Sequence, residues 1–323
     1  MLNEMSIEII RKCPNNCVHC SSNSSICSHE IIPLDLFCEV VQGAKEIGLK
    51  TVCFSGGEPF LHLDFLNMVE FVNDLKLNCY IYTSGIFVDH NNNCSSIPLE
   101  ILKRIYGKVT KLIFNMPAAT DETYNLIMQT KGNFKYLQQS IIDASSLGIL
   151  CESHFVPMKL NVSEIEQTIE LCSKLGVSKI SFLRLVIHGR ALFNENLIAL
   201  TSNETNNLKD KLLKLSKSSS VNIRIGVPLS EGENKYSCEA ADRKLNIRYD
   251  GNVYPCEVFK NNKVKFIDGY TPDNIFKKDI KDIYLSSNYL CTVRRCINDF
   301  SGVNTCENCI GQYYIKNISE DVR

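Results

Sequence analysis

Six short apolar, β-branched runs alternate with helix-patterned segments along the first two thirds of the 323-residue chain, and this alternation restricts its fold more than any other feature. The runs are MSIEII, TVCF, CYIY, VTKLIF, CESHFV and KISFLRL. Helical spacing follows each, over about 35–47, 64–75, 98–105, from 121, 162–175 and 203–215. Strands joined through helices pair in parallel with right-handed crossovers. Eight such units close a TIM barrel, so six leave it open. The expected fold is α/β, a partial (β/α)6 TIM-like barrel with a gap wide enough for a large substrate. Asp35, Asp64, Asp121 and Ser163 stand near helix starts, where a side-chain oxygen can cap free backbone N–H groups.

Ligands of parallel βα sheets bind at the carboxyl ends of the strands. The loop after the first run reads CPNNCVHC, with Cys13, Cys17 and Cys20 in CxxxCxxC spacing. The second run ends in GGEP, Gly56 to Pro59, so both motifs fall on one face of the sheet. Three thiolates this close can hold three irons of a cubic four-iron cluster and leave the fourth open to a small molecule. The competing reading is a closed zinc site of Cys13, Cys17, His19 and Cys20, although His19 directly abuts Cys20.

CxxxCxxC with an aromatic residue before its last cysteine, here His19, followed by GGEP, resembles the radical SAM superfamily. The resemblance implies that the open iron chelates the amino and carboxylate groups of S-adenosylmethionine, and that an electron from the cluster splits the sulfonium to a 5′-deoxyadenosyl radical. It also implies a flavodoxin- or ferredoxin-type electron donor. Gly56 and Gly57 would let main chain approach the methionine moiety, with Glu58 held extended by Pro59. Ser84 in YTSG resembles the ribose contact, and Asn115 in FNMPA stands where the family often has serine. Arg184 suits the methionine carboxylate, a substrate group or a surface ion pair. His154 and His188, near strand ends, read as structural, and His29, His62 and His90 belong to no constellation. Cys27, Cys38, Cys53, Cys79, Cys94, Cys151 and Cys172 read as small buried apolar residues.

The βα pattern stops near 216, which divides the chain into a barrel over 1–216 and a smaller α+β module over 217–323. Within the module, LNIRYDGNVYPC reads as a hairpin turning at Asp250-Gly251. Cys238, Cys256 and the CENC pair Cys306 and Cys309 resemble the twitch subdomain, the shorter relative of the SPASM extension. The four would ligate one auxiliary cluster, with a zinc ribbon as the alternative. The cofactors expected are thus S-adenosylmethionine and two 4Fe-4S clusters, one catalytic and one auxiliary. Cys291 and Cys296 do not fit the ligand spacing.

Net charge of −1 gives no bulk attraction to nucleic acid or anionic membranes. No apolar run reaches membrane-span length, and MLNEMSIEII lacks the basic flank of a signal peptide, which points to the cytoplasm. Sixteen cysteines in a long chain without that signal fit reduced, metal-binding thiols better than a disulfide scaffold.

By family prevalence the substrate is a peptide or protein, modified by oxidation or cross-linking after hydrogen abstraction. Against this stand a start directly in the first strand, without a peptide-recognition domain, and an ending in KNISEDVR without paired glycines. A sugar or cyclitol dehydrogenase, a cofactor-biosynthesis enzyme and a non-catalytic metal-binding interaction protein are the alternatives.

Overall fold

The structure, a computed structural model, describes residues 1–226, 238–260 and 271–299. The six expected strands are β1 (Glu4–Ile10), β2 (Thr51–Gly56), β3 (Asn78–Thr83), β6 (Lys111–Asn115), β7 (Cys151–Phe155) and β8 (Lys179–Phe182), separated after β3 by a small antiparallel hairpin, β4 (Ile86–Val88) and β5 (Cys94–Ser96). They pair in parallel in the order β1-β2-β3-β6-β7-β8. Two more parallel strands lengthen the sheet, β9 (Asn222–Ile225) beyond β8 and β10 (Lys244–Ile247) beside β1. From β10 the chain turns at Asp250-Gly251 into antiparallel β11 (Val253–Tyr254), the expected hairpin. Its pairing with β1 was not expected: the described part of the C-terminal segment continues the barrel sheet.

Strands β1, β2, β6, β7 and β8 are buried along most of their length, as parallel barrel strands are, whereas β9 is not. In β1, Met5, Ile7 and Ile9 enter the apolar core while Glu4, Ser6 and Glu8 line an interior cavity. The helices are α1 (Leu34–Glu46), α2 (Phe65–Asp74), α3 (Leu99–Ile105), α4 (Asp121–Met128), α5 (Phe134–Ser146), α6 (Ile165–Lys174), α7 (Ala191–Ile198) and α8 (Ser202–Ser218). Two C-terminal helices follow, α9 (Ile280–Ser286) and α10 (Asn288–Asp299). α9 packs on α1, where a Cβ on Gly43 would lie 2.9 Å from Ile280 Cγ2.

Of the expected caps, only Asp64 holds its position. α1 starts after Pro33, and Asp64 holds the cap position of α2 without a side-chain bond. Asp121 is already inside α4, whose cap is Thr120, accepting from the Thr123 amide. Ser163 lies in a 3-10 turn, Val162–Glu164, ahead of α6. Here Glu164 is drawn off to accept from the amides of Ala119 (2.8 Å) and Thr120 (3.2 Å), which braces the start of α4. Cys53, Cys79, Cys151 and Cys172 are buried as expected, whereas Cys27 is exposed and Cys38 and Cys94 are half-buried.

Candidate active site

Residues at or just beyond the carboxyl ends of β1, β2, β3, β6, β7 and β8 line one cavity of about 540 Å³. Cys13, Cys17, His19 and Cys20 line it from the loop after β1, and Gly56 and Gly57 from the end of β2. Ser84 comes from the end of β3, Asn115 from β6 and Arg184 from beyond β8. These residues, up to 171 positions apart in sequence, are therefore brought together. A cavity of this size falls in the range of small-molecule and cofactor sites.

The cysteine loop is tied down on every side. Its Asn16 and Val18 amides donate to the last carbonyls of α4, Met128 (3.1 Å) and Ile127 (2.9 Å). Gly57 and Glu58 amides donate to the carbonyls of Ile10 (2.7 Å) and Lys12 (2.8 Å), so GGEP first serves to hold the loop itself. A Cβ on Gly57 would collide with the Lys12 carbonyl and lie 2.5 Å from that of Arg11. One close approach that requires this glycine is therefore to the loop backbone, and the same residue lines the cavity.

Glu58 and Pro59 are not among the residues lining the cavity. Glu58 is fully buried and turns inward, taking the Ser84 amide (2.7 Å), the Ser84 hydroxyl (2.6 Å) and the Thr83 hydroxyl (2.8 Å). Burial pushes its carboxyl up to about 7 against the pull of these donors. Pro59 opens the 3-10 turn Pro59–Leu61 in the core. The Glu58 side chain, which also accepts from the Phe60 amide at 3.4 Å, thus braces the wall from behind.

Burial pushes the Cys17 thiol up to about 12 and the Cys13 thiol up as well, so a metal centre must displace their protons. Burial, and then the Arg190 charge, push His19 down to about 4, leaving it neutral. His19 Nδ1, both polar atoms of the Asn15 side chain and Ser24 Oγ are buried without hydrogen-bond partners around the cavity. Among the described residues, no three His, Cys, Asp or Glu side chains converge on a single-ion site. Three thiols around a cavity bordered by unmatched polar atoms fit a group wide enough to reach all three, as a four-iron cluster with a bound small molecule is.

Sequence reasoning missed five contributors. Arg190 donates from Nε to the Cys17 carbonyl (2.7 Å) and from Nη1 to the Ser24 carbonyl (2.9 Å). Glu8, Ser22 and Lys260 form a buried polar triad on the cavity wall: Ser22 Oγ donates to Glu8 Oε1 (2.7 Å), Lys260 pairs with the same oxygen, and Lys260 Nζ lies 3.0 Å from Ser22 Oγ. Glu257, next to Cys256, also lines the cavity. A charge at an even position of a strand buried on both faces was the available signal for Glu8. His188 lines the wall and bonds the Lys260 carbonyl through Nδ1 (3.1 Å), and His154 lines it beside Tyr82, ring centroids 5.4 Å apart. His62 is a structural staple, bridging the Ile32 carbonyl and the Asp64 amide at 3.0 Å each.

Cys238 precedes β10 and Cys256 follows β11, both half-buried against the core. A 2.9 Å bond from the Ala241 amide to the Pro255 carbonyl joins the segments that carry them. Cys306 and Cys309 lie outside the described residues. Cys291 and Cys296 sit on α10. No helix among the described residues is long and apolar enough to cross a membrane.

Comparison with known proteins agrees with this architecture. The profile of the radical SAM superfamily matches residues 7–172, just over half of the chain, and that of the SPASM iron-sulfur cluster-binding domain matches 238–310. PqqA peptide cyclase of Gluconobacter oxydans (strain 621H) is 22% identical over 314 residues, 94% of this chain and 81% of the cyclase. Among solved structures, Streptococcus suis SuiB bound to S-adenosylmethionine is similar with a TM-score of 0.68 and 17% identity, over 90% of this chain and 67% of SuiB. The structure of anSMEcpe with bound AdoMet and Cp18Cys peptide gives 0.65 at 15% identity, over 95% of this chain and 88% of anSMEcpe. At these identities the structural likeness speaks to fold alone.

Proposed function

The chain belongs to the radical SAM superfamily, and on that premise we propose that it modifies a peptide, abstracting hydrogen from an unactivated carbon and completing an oxidation or a cross-link. It is an enzyme that uses S-adenosylmethionine and a 4Fe-4S cluster, with a SPASM domain for auxiliary iron-sulfur clusters. The observation that carries the peptide reading is the similarity to a peptide cyclase across 94% of the chain, barrel and cysteine-rich segment together.

A reduced cluster supplies the electron that cleaves S-adenosylmethionine to a 5′-deoxyadenosyl radical. In this reading Cys13, Cys17 and Cys20 hold that cluster. Arg184 pairs with the methionine carboxylate, while Ser84 and Asn115 take the ribose side. Glu58 keeps the Ser84 hydroxyl in one orientation, since it accepts that hydroxyl's hydrogen bond at 2.6 Å. Cys238, Cys256, Cys306 and Cys309 would hold one auxiliary cluster, which would supply an electron acceptor for oxidation of the substrate. A flavodoxin- or ferredoxin-type protein delivers the first electron.

The test is anaerobic turnover of reconstituted protein with a chemical reductant, S-adenosylmethionine and small peptides encoded beside its gene. Formation of 5′-deoxyadenosine, abolished in Cys13→Ala/Cys17→Ala/Cys20→Ala, and a peptide lighter by two hydrogens are expected. Cleavage that persists in the triple variant rejects the ligand assignment. Stoichiometric oxidation of a cyclitol, with every peptide unchanged, rejects the substrate class.

A further inference from the structure

We propose that Arg190 is a positioning residue for the catalytic cluster: it clamps the cysteine loop and fixes a permanent positive charge beside it, which makes the cluster easier to reduce. This rests on Cys13, Cys17 and Cys20 being the cluster ligands.

Four contacts from one turn of chain converge on the loop. The Arg190 amide donates to the Cys20 carbonyl at 2.9 Å. Its guanidinium donates to the Cys17 carbonyl (2.7 Å) and the Ser24 carbonyl (2.9 Å). One helical turn later, Asn194 Nδ2 donates to the Val18 carbonyl at 2.8 Å. Gly189 makes the approach possible: its φ is +58°, and a Cβ there would collide with the Cys20 carbonyl and lie 2.8 Å from that of Ser21.

One donor of the fork is left over. Arg190 Nη2 is buried and without a hydrogen-bond partner, on a residue that lines the same cavity as the three thiols. A buried charged donor is expensive to leave unmatched, and an anion in the cavity relieves it. A four-iron cluster on three thiolates is anionic, and reduction adds one more negative charge. Net charge and hydrogen bonding around a cluster set its potential, so a fixed cation favours the reduced form. Arginine keeps its charge at any working pH and alone reaches two carbonyls as a fork. Lysine would keep the charge and lose the fork. Asn194 contributes grip without charge, so the two effects separate experimentally.

Reconstituted full-length wild type, Arg190→Met, Arg190→Gln, Arg190→Lys and Asn194→Ala are titrated with dithionite under controlled potential. The paramagnetic signal that changes on adding S-adenosylmethionine identifies the catalytic cluster, and iron per chain is measured on the same samples. At the wild-type midpoint, the reduced-to-oxidised ratio in Arg190→Met should fall at least tenfold, a shift of about 59 mV for a one-electron couple. Arg190→Lys and Asn194→Ala should stay within about threefold of wild type but retain less iron after gel filtration. An unchanged ratio in a fully loaded Arg190→Met overturns the proposal. Should that variant load no iron, equal ratios in Arg190→Gln and Arg190→Lys overturn it, and a lower ratio in Arg190→Gln supports it. A wild type with no signal responsive to S-adenosylmethionine overturns the site reading first, and this proposal with it.

Discussion

Ser84 donates both its amide (2.7 Å) and its hydroxyl (2.6 Å) to one oxygen of Glu58, and this pair latches the turn after β2 to the end of β3. Thr83 adds its hydroxyl to the other oxygen at 2.8 Å. The carboxyl ends of β2 and β3 are thereby fixed to each other by a side chain that does not line the cavity.

The latch carries a pH signature. Burial raises the Glu58 carboxyl from an ordinary 4.5 to about 7. A carboxyl raised on folding stabilises fully below its unfolded pKa, and that contribution is lost as pH rises through the folded value. Glu58→Gln cannot titrate, and its amide meets hydroxyl and amide donors with a donor of its own. In cluster-free protein the variant should be destabilised by about 1–3 kcal/mol at pH 5.5, and the gap to wild type should narrow towards pH 8. Urea denaturation at both pH values measures it, and a gap independent of pH would contradict the assignment.

Gly57→Ala separates two roles of GGEP. The added methyl would strike the Lys12 carbonyl, so the loop carrying Cys13 must move. Forced displacement of packed backbone typically costs about 1–3 kcal/mol or more. Iron loading and S-adenosylmethionine affinity should therefore fall together, with a lower melting temperature in the cluster-free protein. Full iron content with weakened S-adenosylmethionine binding would return Gly57 to the ligand-contact role.

The six barrel strands were legible because β-branched runs alternate with helical spacing, and the cavity's position followed from strands and motifs sharing a carboxyl end. The side-chain traffic within that frame was not legible. Whether Glu58 points into a cavity or back at Ser84 depends on the rotation of one turn. Arg190 meets Cys17 across 173 positions, through a left-handed glycine that sequence marks only as Gly-Arg. The hairpin at Asp250-Gly251 was readable from local turn chemistry, but not its pairing with β1, since strand partners are chosen by tertiary packing. Caps were legible only in part: Asp64 holds the cap position of α2, whereas α4 is capped by Thr120, one residue before Asp121.

Lys260 reaches from beyond Cys256 to pair with Glu8 inside the barrel, with both side chains almost fully buried at 6% and 0% exposure. Removing one partner of a buried pair leaves the other charge uncompensated, at about 3–5 kcal/mol, whereas replacing both by apolar groups can be neutral. Lys260→Met should thus be strongly destabilising, and Glu8→Met/Lys260→Met should recover most of the loss. Ser22 then lacks both partners, which limits recovery by about 1 kcal/mol. Urea unfolding of the full chain gives the comparison, and additive losses in the double variant would show that the pair is not coupled.

The number of irons tests the whole ligand scheme. Three cysteines serve the open site and four complete the auxiliary one, so two 4Fe-4S clusters and about eight irons per chain are expected. Cys238 and Cys256 flank a hairpin whose ends are joined by the Ala241–Pro255 bond of 2.9 Å, which holds the two segments as a pair. Substituting Cys306 and Cys309 should remove about half of the iron and leave a cluster that still responds to S-adenosylmethionine. Cys291 lies on α10 with its sulfur 3.8 Å from both the Leu285 carbonyl and Arg294 Nη1, so Cys291→Ser should change the count little. About twelve irons in anaerobic protein would instead bring Cys291 and Cys296 into a third cluster. About four irons with stoichiometric zinc would make the C-terminal cysteines a structural zinc site, and remove the electron acceptor on which the proposed substrate oxidation depends.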